Sequence, residues 1–253
     1  MIMLKSKDET DRMRAASAIV AEVLAEVRSH IRPGVETGGL DEIAESLTRR
    51  RGGIPAFKGY EVAGRVFPAS ICVSINDEVV HGIPAAGRSL SEGDIVGLDF
   101  GVCLDGYYGD SAVTVPVGAI APDAERLLDA TRRSLEAGIA AIRPGGRVED
   151  ISGAVQDVAE GAGYTLVREF VGHGIGRRLH EEPQVPNYRT GGRGAKLSEG
   201  LVLAIEPMVN AGGPEVYVRD DGWTAVTRDG SLSAHFEHSV AVTADGPYIL
   251  TLP

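Results

Sequence analysis

Four carboxylates and one imidazole are the groups in this chain best suited to chemistry: Asp99, Asp110, Glu206, Glu237 and His173. The first two lie in "VGLDFGVCLDGYYGDSAVTV", where Asp105-Gly106 marks a tight turn between two alternating runs. With those residues as the turn, Leu104 pairs with Tyr107, Gly101 with Asp110, and Asp99 with Ala112. Side chains alternate along a strand, so Asp99 becomes a diagonal neighbour of Asp110, with Cβ atoms about 7–8 Å apart. Ile95, Val96, Leu98, Phe100 and Val102 make the strand a largely buried one. Two carboxylates buried together repel and require a cation.

The other two acids occupy comparable places later in the chain. "LSEGLVLAIEPM" ends an apolar strand in Glu206, and Pro207 stops further pairing. "AHFEHSVAV" places Glu237 at the start of another strand. Either acid alone reads as a surface or salt-bridged carboxylate. Taken together, the four carboxylates balance two divalent cations. Oxygen donors with one nitrogen suit manganese, iron, cobalt or zinc better than a thiolate site would. Such a metal pair lowers the pKa of a shared water and polarises a carbonyl.

The nitrogen comes from "VGHGIGRRLHEEP", residues 171–183, which shows no helical or strand period and reads as a loop. Gly172 and Gly174 would let His173 sit tightly against the metals. The run is not a dinucleotide-binding G-x-G-x-x-G, and "HEEPQ" is not the zinc-binding H-E-x-x-H.

These groups need elements to hold them. Residues 8–30 form an amphipathic helix with Met13, Ala16, Ile19, Val20, Val23, Leu24 and Val27 on one face. "IRPGVETGGL" breaks it, and a second helix follows at about 40–51. Strands are expected at 69–75, 94–102 and 107–115. Beyond Pro116 the plan restarts: two helices within 121–164, then strands near 164–170, 201–206, 236–243 and 248–250. "IRPGVETGGLDEIAESL" at Ile31 and "IRPGGRVEDISGAVQDV" at Ile142 both join a long helix to a second one. The expectation is two similar halves, roughly 8–118 and 119–253, fused into one α+β domain with its site between them.

The bulk properties fit an ordinary globular protein of 253 residues, 43% apolar and 24% charged. A net charge of −11 argues against binding nucleic acid or an anionic membrane non-specifically. No apolar run approaches the roughly 20 residues that span a bilayer. "MIMLKSKDETDRMR" has no signal-peptide core, and Cys72 and Cys103 form neither a disulfide framework nor a zinc pair. The expected compartment is the cytoplasm.

Asp99, Asp110, His173 in "GHGIG", Glu206 in "AIEPM" and Glu237 in "FEHS" resemble the five metal ligands of the methionine aminopeptidases. "SINDEVVHGIP" and "GHGIGRRLHEEP" are similar to further motifs of that family, and the resemblance covers about residues 8–250. The short N-terminus and the short span between Glu206 and Glu237 match its compact type I members.

The resemblance implies the pita-bread fold, residues 1–253 as a single metallopeptidase domain, and two divalent cations (cobalt, manganese, iron or zinc). It implies removal of N-terminal methionine from peptides and nascent chains with a small second residue, by metal-activated hydroxide. Asp110 and Glu237 would bridge the metals, Asp99 would hold one, and His173 with Glu206 the other. Glu206 would also shuttle the proton, and Asp99 with its metal would hold the free α-amine. His81 and His180 would stay off the metals and hydrogen-bond the scissile carbonyl or leaving amide. Tyr60, Phe67, Cys72, Leu179 and Trp223 fall at the positions that line the family's methionine pocket. The expected partners are such peptides and the ribosome, with no membrane or specific nucleic acid, and the expected state is a monomer.

Three departures bear on fine specificity. "YEVAGRVF" separates Tyr60 from Phe67 by more than the family's short "YGGF"-like segment. Leu179 stands where an aromatic is frequent, and His235 where glutamine is common. His30 at a helix end and His238 beside Glu237 read as structural. Competing readings are a proline-specific peptidase of the same fold, a non-catalytic peptide- or ribosome-binding relative, and a metal-dependent phosphoesterase. The last would need basic phosphate contacts, for which only Arg177 and Arg178 are candidates.

Overall fold

A computed structural model describes residues 2–252. Helices α1 (Lys7–Ser29) and α2 (Thr37–Arg50) precede the first group of strands, and α3 (Pro122–Ala140) and α4 (Val148–Gly161) precede the second. α1 starts where Ser6 and Glu9 cap each other's backbone N–H groups. Its buried face carries all seven apolar residues expected from the 3.6-residue period, plus Ser17.

α2 begins at Thr37, three residues before the expected start. The Thr37 N–H donates to Arg88 O at 2.8 Å, and its hydroxyl accepts the Ala85 N–H at 3.0 Å. Tertiary hydrogen bonds thus carry the helix through a stretch whose glycines read as a breaker. The strand expected at 69–75 is confined to Cys72–Ile75. The Ser70 and Ile71 N–H groups instead donate to the Asp41 carboxylate at 2.7 and 3.2 Å. The strand expected near 164–170 shrinks to Thr165–Leu166.

Two antiparallel sheets hold the site. In one, the long strand Ile95–Leu104 pairs with Ile54–Pro55, Cys72–Ile75 and Tyr107–Pro116. The other runs in the order Glu181–Val185, Gly172–Gly174, Val202–Ile205, His238–Thr243, Gly246–Ile249. They join edge to edge: the Glu237 N–H donates to Ala112 O at 2.9 Å, and Ser239 Oγ donates to Asp110 O at 2.8 Å.

Each sheet is covered by its own helix pair. Val20, Val23, Leu40 and Ala44 pack with Val96, Leu98 and Phe100. Leu127, Leu135, Ile151 and Val155 pack with Leu203, Ile205 and Val240. Each fully buried branched side chain of this kind contributes about 1.5–3 kcal/mol, so the sheets are rigid backing for anything mounted on their other face.

Candidate metal centre

The hairpin has the register its Asp-Gly turn implies: Gly101 opposes Asp110 and Asp99 opposes Ala112. Asp99 and Asp110 therefore share the face turned away from the helices. In the other sheet, His173 pairs with Ala204. Glu206 and Glu237 lie one residue outside their strands, not at the strand ends the sequence suggested. Because Ile205 pairs with His238, the two glutamates flank the same rung.

The five groups converge. Ligand atoms of Asp110, His173 and Glu237 all lie within 4.8 Å of one another. His173 Nε2 is 3.4 Å from Glu206 Oε1. Asp99 lines the same cavity and raises the carboxyl pKa of Asp110, Glu206 and Glu237 by its charge, after burial itself. Burial pushes Asp99 up to about 7. All four acids are thus held where their ionised forms lack support from within the chain.

The donor set fits divalent cations on two independent counts. Asp99 Oδ1, Asp110 Oδ1 and Glu237 Oε1 are buried without any hydrogen-bond donor. His173 Nδ1 lies 2.9 Å from Gly174 O, so the N–H of the neutral ring points there and the Nε2 lone pair faces the acids. Burial holds that imidazole neutral, its pKa down to about 3.

The glycines beside His173 serve a different purpose from the one the sequence suggested. "GHG" is a strand, not a loop, and it has close neighbours on both sides. A Cβ on Gly172 would lie 2.4 Å from Ala204 O, and one on Gly174 would lie 2.3 Å from Glu182 O. The glycines let the flanking strands close on this one, and that packing fixes the ring.

His81, His180, Tyr60, Phe67, Cys72, Leu179 and Trp223 all line the same cavity, whose volume is about 200 Å³. His81 follows the strand Glu78–Val80 with φ +60°, a left-handed conformation that costs energy and persists only where surroundings enforce it. It is edge-on to Phe170 at 5.5 Å and to Trp223 at 6.3 Å. Burial lowers its pKa to about 4. His180 stands at the exposed rim, 4.4 Å from the His173 ring, with Nδ1 2.6 Å from Tyr60 Oη. Burial raises the Tyr60 pKa, so the phenol stays protonated and is a ready donor to Nδ1. Tyr60 keeps its place despite the longer segment behind it, which folds into a small hairpin of Glu61–Val62 and Arg65–Val66.

The two histidines read as structural lie outside the cavity. His30 caps α1, with Nδ1 2.9 Å from Glu26 O, and His238 Nδ1 is 2.8 Å from Thr251 Oγ1.

Sequence reasoning missed Phe57, Phe170 and Met208 in the cavity wall, and it noted His235 only as a departure from glutamine. The His235 Nε2 is 3.8 Å from Glu206 Oε2, buried and unpartnered. His235 precedes Glu237 by two residues, and period-two alternation was the signal available for it.

The sequence profile described as metallopeptidase family M24 matches residues 11–244. The chain belongs to that family. It is therefore a hydrolase of peptide bonds, of the metal-dependent kind. A methionine aminopeptidase of Clostridium perfringens is 49% identical over 252 residues, covering 100% of this chain and 99% of that one. Methionine aminopeptidase 1 of Bacillus subtilis is 49% identical over 251 residues, covering 99% of each. The crystal structure of a methionine aminopeptidase from Thermotoga maritima superposes with a TM-score of 0.96 at 44% identity, covering 100% of both chains. The fold is the α+β pita-bread fold expected from the sequence.

Proposed function

We propose that this protein removes the N-terminal methionine of peptides and nascent chains whose second residue is small. The observation that carries this reading is the convergence of Asp99, Asp110, His173, Glu206 and Glu237 in a small cavity otherwise lined mostly by apolar side chains. At about 200 Å³ it is smaller than the about 300–1,000 Å³ of sites that enclose drug-sized ligands. Such a space suits one side chain and a chain end. The names of the close relatives support the same reading.

Asp110 and Glu237 would bridge two divalent cations, Asp99 would hold one, and His173 with Glu206 the other. Bound there, the cations would lower the pKa of a water and polarise the first peptide carbonyl. The halves at about 8–118 and 119–253 then act as one catalytic domain, each supplying ligands. Asp99 would also attract the free α-amine. Glu206 would carry the proton from the attacking water to the leaving amide. His180, with Nδ1 engaged by Tyr60, presents Nε2 to the substrate amide. His81, kept neutral by burial, hydrogen-bonds the substrate without adding charge. The methionine side chain would lie among Tyr60, Phe67, Cys72, Leu179 and Trp223, where its sulfur meets aromatic edges. The substrates would be chains leaving the ribosome in the cytoplasm, met by a monomer.

Assay of Met-Ala-Ser and Ala-Pro peptides, each with and without chelator, tests the proposal. Release of methionine from Met-Ala-Ser alone, abolished by chelation, is expected. Preferential cleavage of Ala-Pro would point to the proline-specific reading. Activity that survives verified metal removal would overturn the mechanism.

A further inference from the structure

The rim histidine is mounted on a loop, and that loop is tied to the start of the chain. Lys5 Nζ lies 2.6 Å from Glu181 Oε2, with the two side chains only 4% and 2% exposed. Among the described residues this is the most deeply buried of the lysine– or arginine–carboxylate pairs. Lys5 Nζ also donates to Met3 O at 2.9 Å, and the Lys5 N–H donates to Gly200 O at 2.7 Å. The other oxygen of Glu181 accepts the N–H groups of Arg177 and Arg178 at 2.8 and 3.1 Å. One carboxylate thus fastens both ends of the 177–181 turn, and one ammonium fastens the carboxylate. The fit leaves no slack: a Cβ on Gly176 would lie 2.2 Å from Lys5 Cε.

Between those anchor points the chain carries Leu179, in the cavity wall, and His180, at its rim. Buried ion pairs are poor devices for stability, because desolvation offsets most of their attraction, and hydrophobic replacement is often neutral or stabilising. Their better-attested use is to enforce one arrangement out of several. The arrangement enforced here is the position of the His180 ring relative to Tyr60 and His173.

We infer that Lys5 is a positioning residue for catalysis, acting through Glu181 to hold His180 against the substrate. The inference rests on the role proposed for His180 above. Among the described residues, the other hydrogen-bond partners of Lys5, Met3 and Gly200, do not line the cavity, so its effect on turnover should pass through that loop.

A double-mutant cycle on the metal-loaded full chain tests this. Lys5→Met, His180→Ala and the combination are compared for kcat, KM, metal content and Tm with Met-Ala-Ser. Lys5→Met should lower kcat about tenfold or more, the order expected when a catalytic group is displaced by a fraction of an ångström. KM and metal content should change little. In the His180→Ala background the same substitution should change kcat by less than about twofold, because the group it positions is already gone.

A fourth variant, Lys5→Met with Glu181→Met, guards against simple instability, since it leaves no uncompensated buried charge. It should recover the Tm but not the kcat. Equal losses of kcat in both His180 backgrounds, or recovery of kcat along with Tm in the fourth variant, would overturn the positioning role alone. Full kcat in His180→Ala would overturn the reading of His180, and this inference with it.

Discussion

Glu206 and Glu237 flank a single rung of the sheet: Ile205 pairs with His238, and each glutamate is the next residue outward. That pairing brings acids 31 positions apart in sequence to one place. The backbone bonds between Glu237 and Ala112 then set them beside the hairpin that holds Asp99 and Asp110. Metal binding and substrate handling can be separated on this frame, since the acids and His173 form one group and His81 another.

Asp110→Asn replaces a carboxylate with a neutral amide at the point where Asp110, His173 and Glu237 meet, the place proposed for the cations. Metal content and activity should fall together. His81→Ala should keep its metals and its fold while kcat falls by roughly 10²–10⁴, the range for a lost acid–base partner. Elemental analysis, Tm and kcat on both variants check this. Loss of metal in His81→Ala, or near-normal kcat in a well-folded His81→Ala, would show that the roles are misassigned.

The buried acids also give the metal-free protein a definite pH dependence. Asp99 is raised to about 7, and Asp110, Glu206 and Glu237 are raised well above the ordinary carboxylate range. A group whose pKa is raised on folding supports the fold below its unfolded value, and that support is lost as pH climbs through the folded value. The histidines act oppositely: His81, His173 and His235, lowered to about 4, 3 and 3, lose their contribution as pH falls below about 6.5. The two effects offset each other in mildly acidic solution, and the carboxylates dominate above neutrality. The Tm of metal-free protein should therefore fall as pH climbs through about 7, while the gain in Tm on adding manganese grows over the same range. Thermal melts with and without metal measure it. A metal-induced gain that stays flat or shrinks would contradict the buried acid cluster.

Much of this site was legible because its signals were local. An Asp-Gly turn fixes a hairpin register by itself, and the register places Asp99 beside Asp110. The apolar face of α1 follows from period alone. The signals that failed were those in which tertiary partners overrode local character. Gly172–Gly174 looks like a loop because glycine carries no strand preference, yet it is a central strand, held by neighbours on both sides. The start of α2 was hidden because Thr37 finds its partners at Ala85 and Arg88, far along the chain. Phe170 directly precedes the 171–183 run and Met208 closes "AIEPM", yet nothing local says that either side chain turns to the cavity, and only the folded chain brings them there.

The strained His81 backbone directly follows the strand Glu78–Val80, and Glu78 ties that strand to its surroundings. Its carboxylate, 5% exposed, accepts the Ile75 N–H at 2.8 Å, bonds Arg219 Nη1 at 2.6 Å and also pairs with Arg88. Glu78→Ala should cost about 3 kcal/mol, the low end for losing one partner of a buried pair, because both arginines can turn toward water. It should also reduce kcat at temperatures well below the Tm, since the hairpin no longer enforces the left-handed His81. Urea unfolding and kcat at low temperature are the measurements. A variant destabilised by this amount but fully active when folded would mean that His81 holds its conformation without Glu78.

On the proposed function, the cavity wall would set how well methionine is told from other first residues. Phe67 sits edge-on to Trp223 at 5.2 Å and to Phe57 at 6.5 Å, so its ring is locked on two sides. A rigid apolar wall distinguishes side chains of different length and shape, but a hydrophobic pocket separates similar ones by only about 1–3 kcal/mol. Methionine should thus exceed leucine by roughly 10–200-fold in kcat/KM, with alanine lower still and lysine excluded by the uncompensated cost of its charge. Phe67→Ala enlarges the pocket and frees the Trp223 ring. It should lower Tm by the equivalent of about 3–5 kcal/mol and compress the methionine-to-leucine ratio toward one. The ratio is the informative quantity, because loss of folded enzyme lowers both rates equally and leaves it unchanged. If Phe67→Ala destabilises the protein while the ratio holds, Phe67 is core alone, and the wall that selects methionine lies with Tyr60, Cys72 and Leu179.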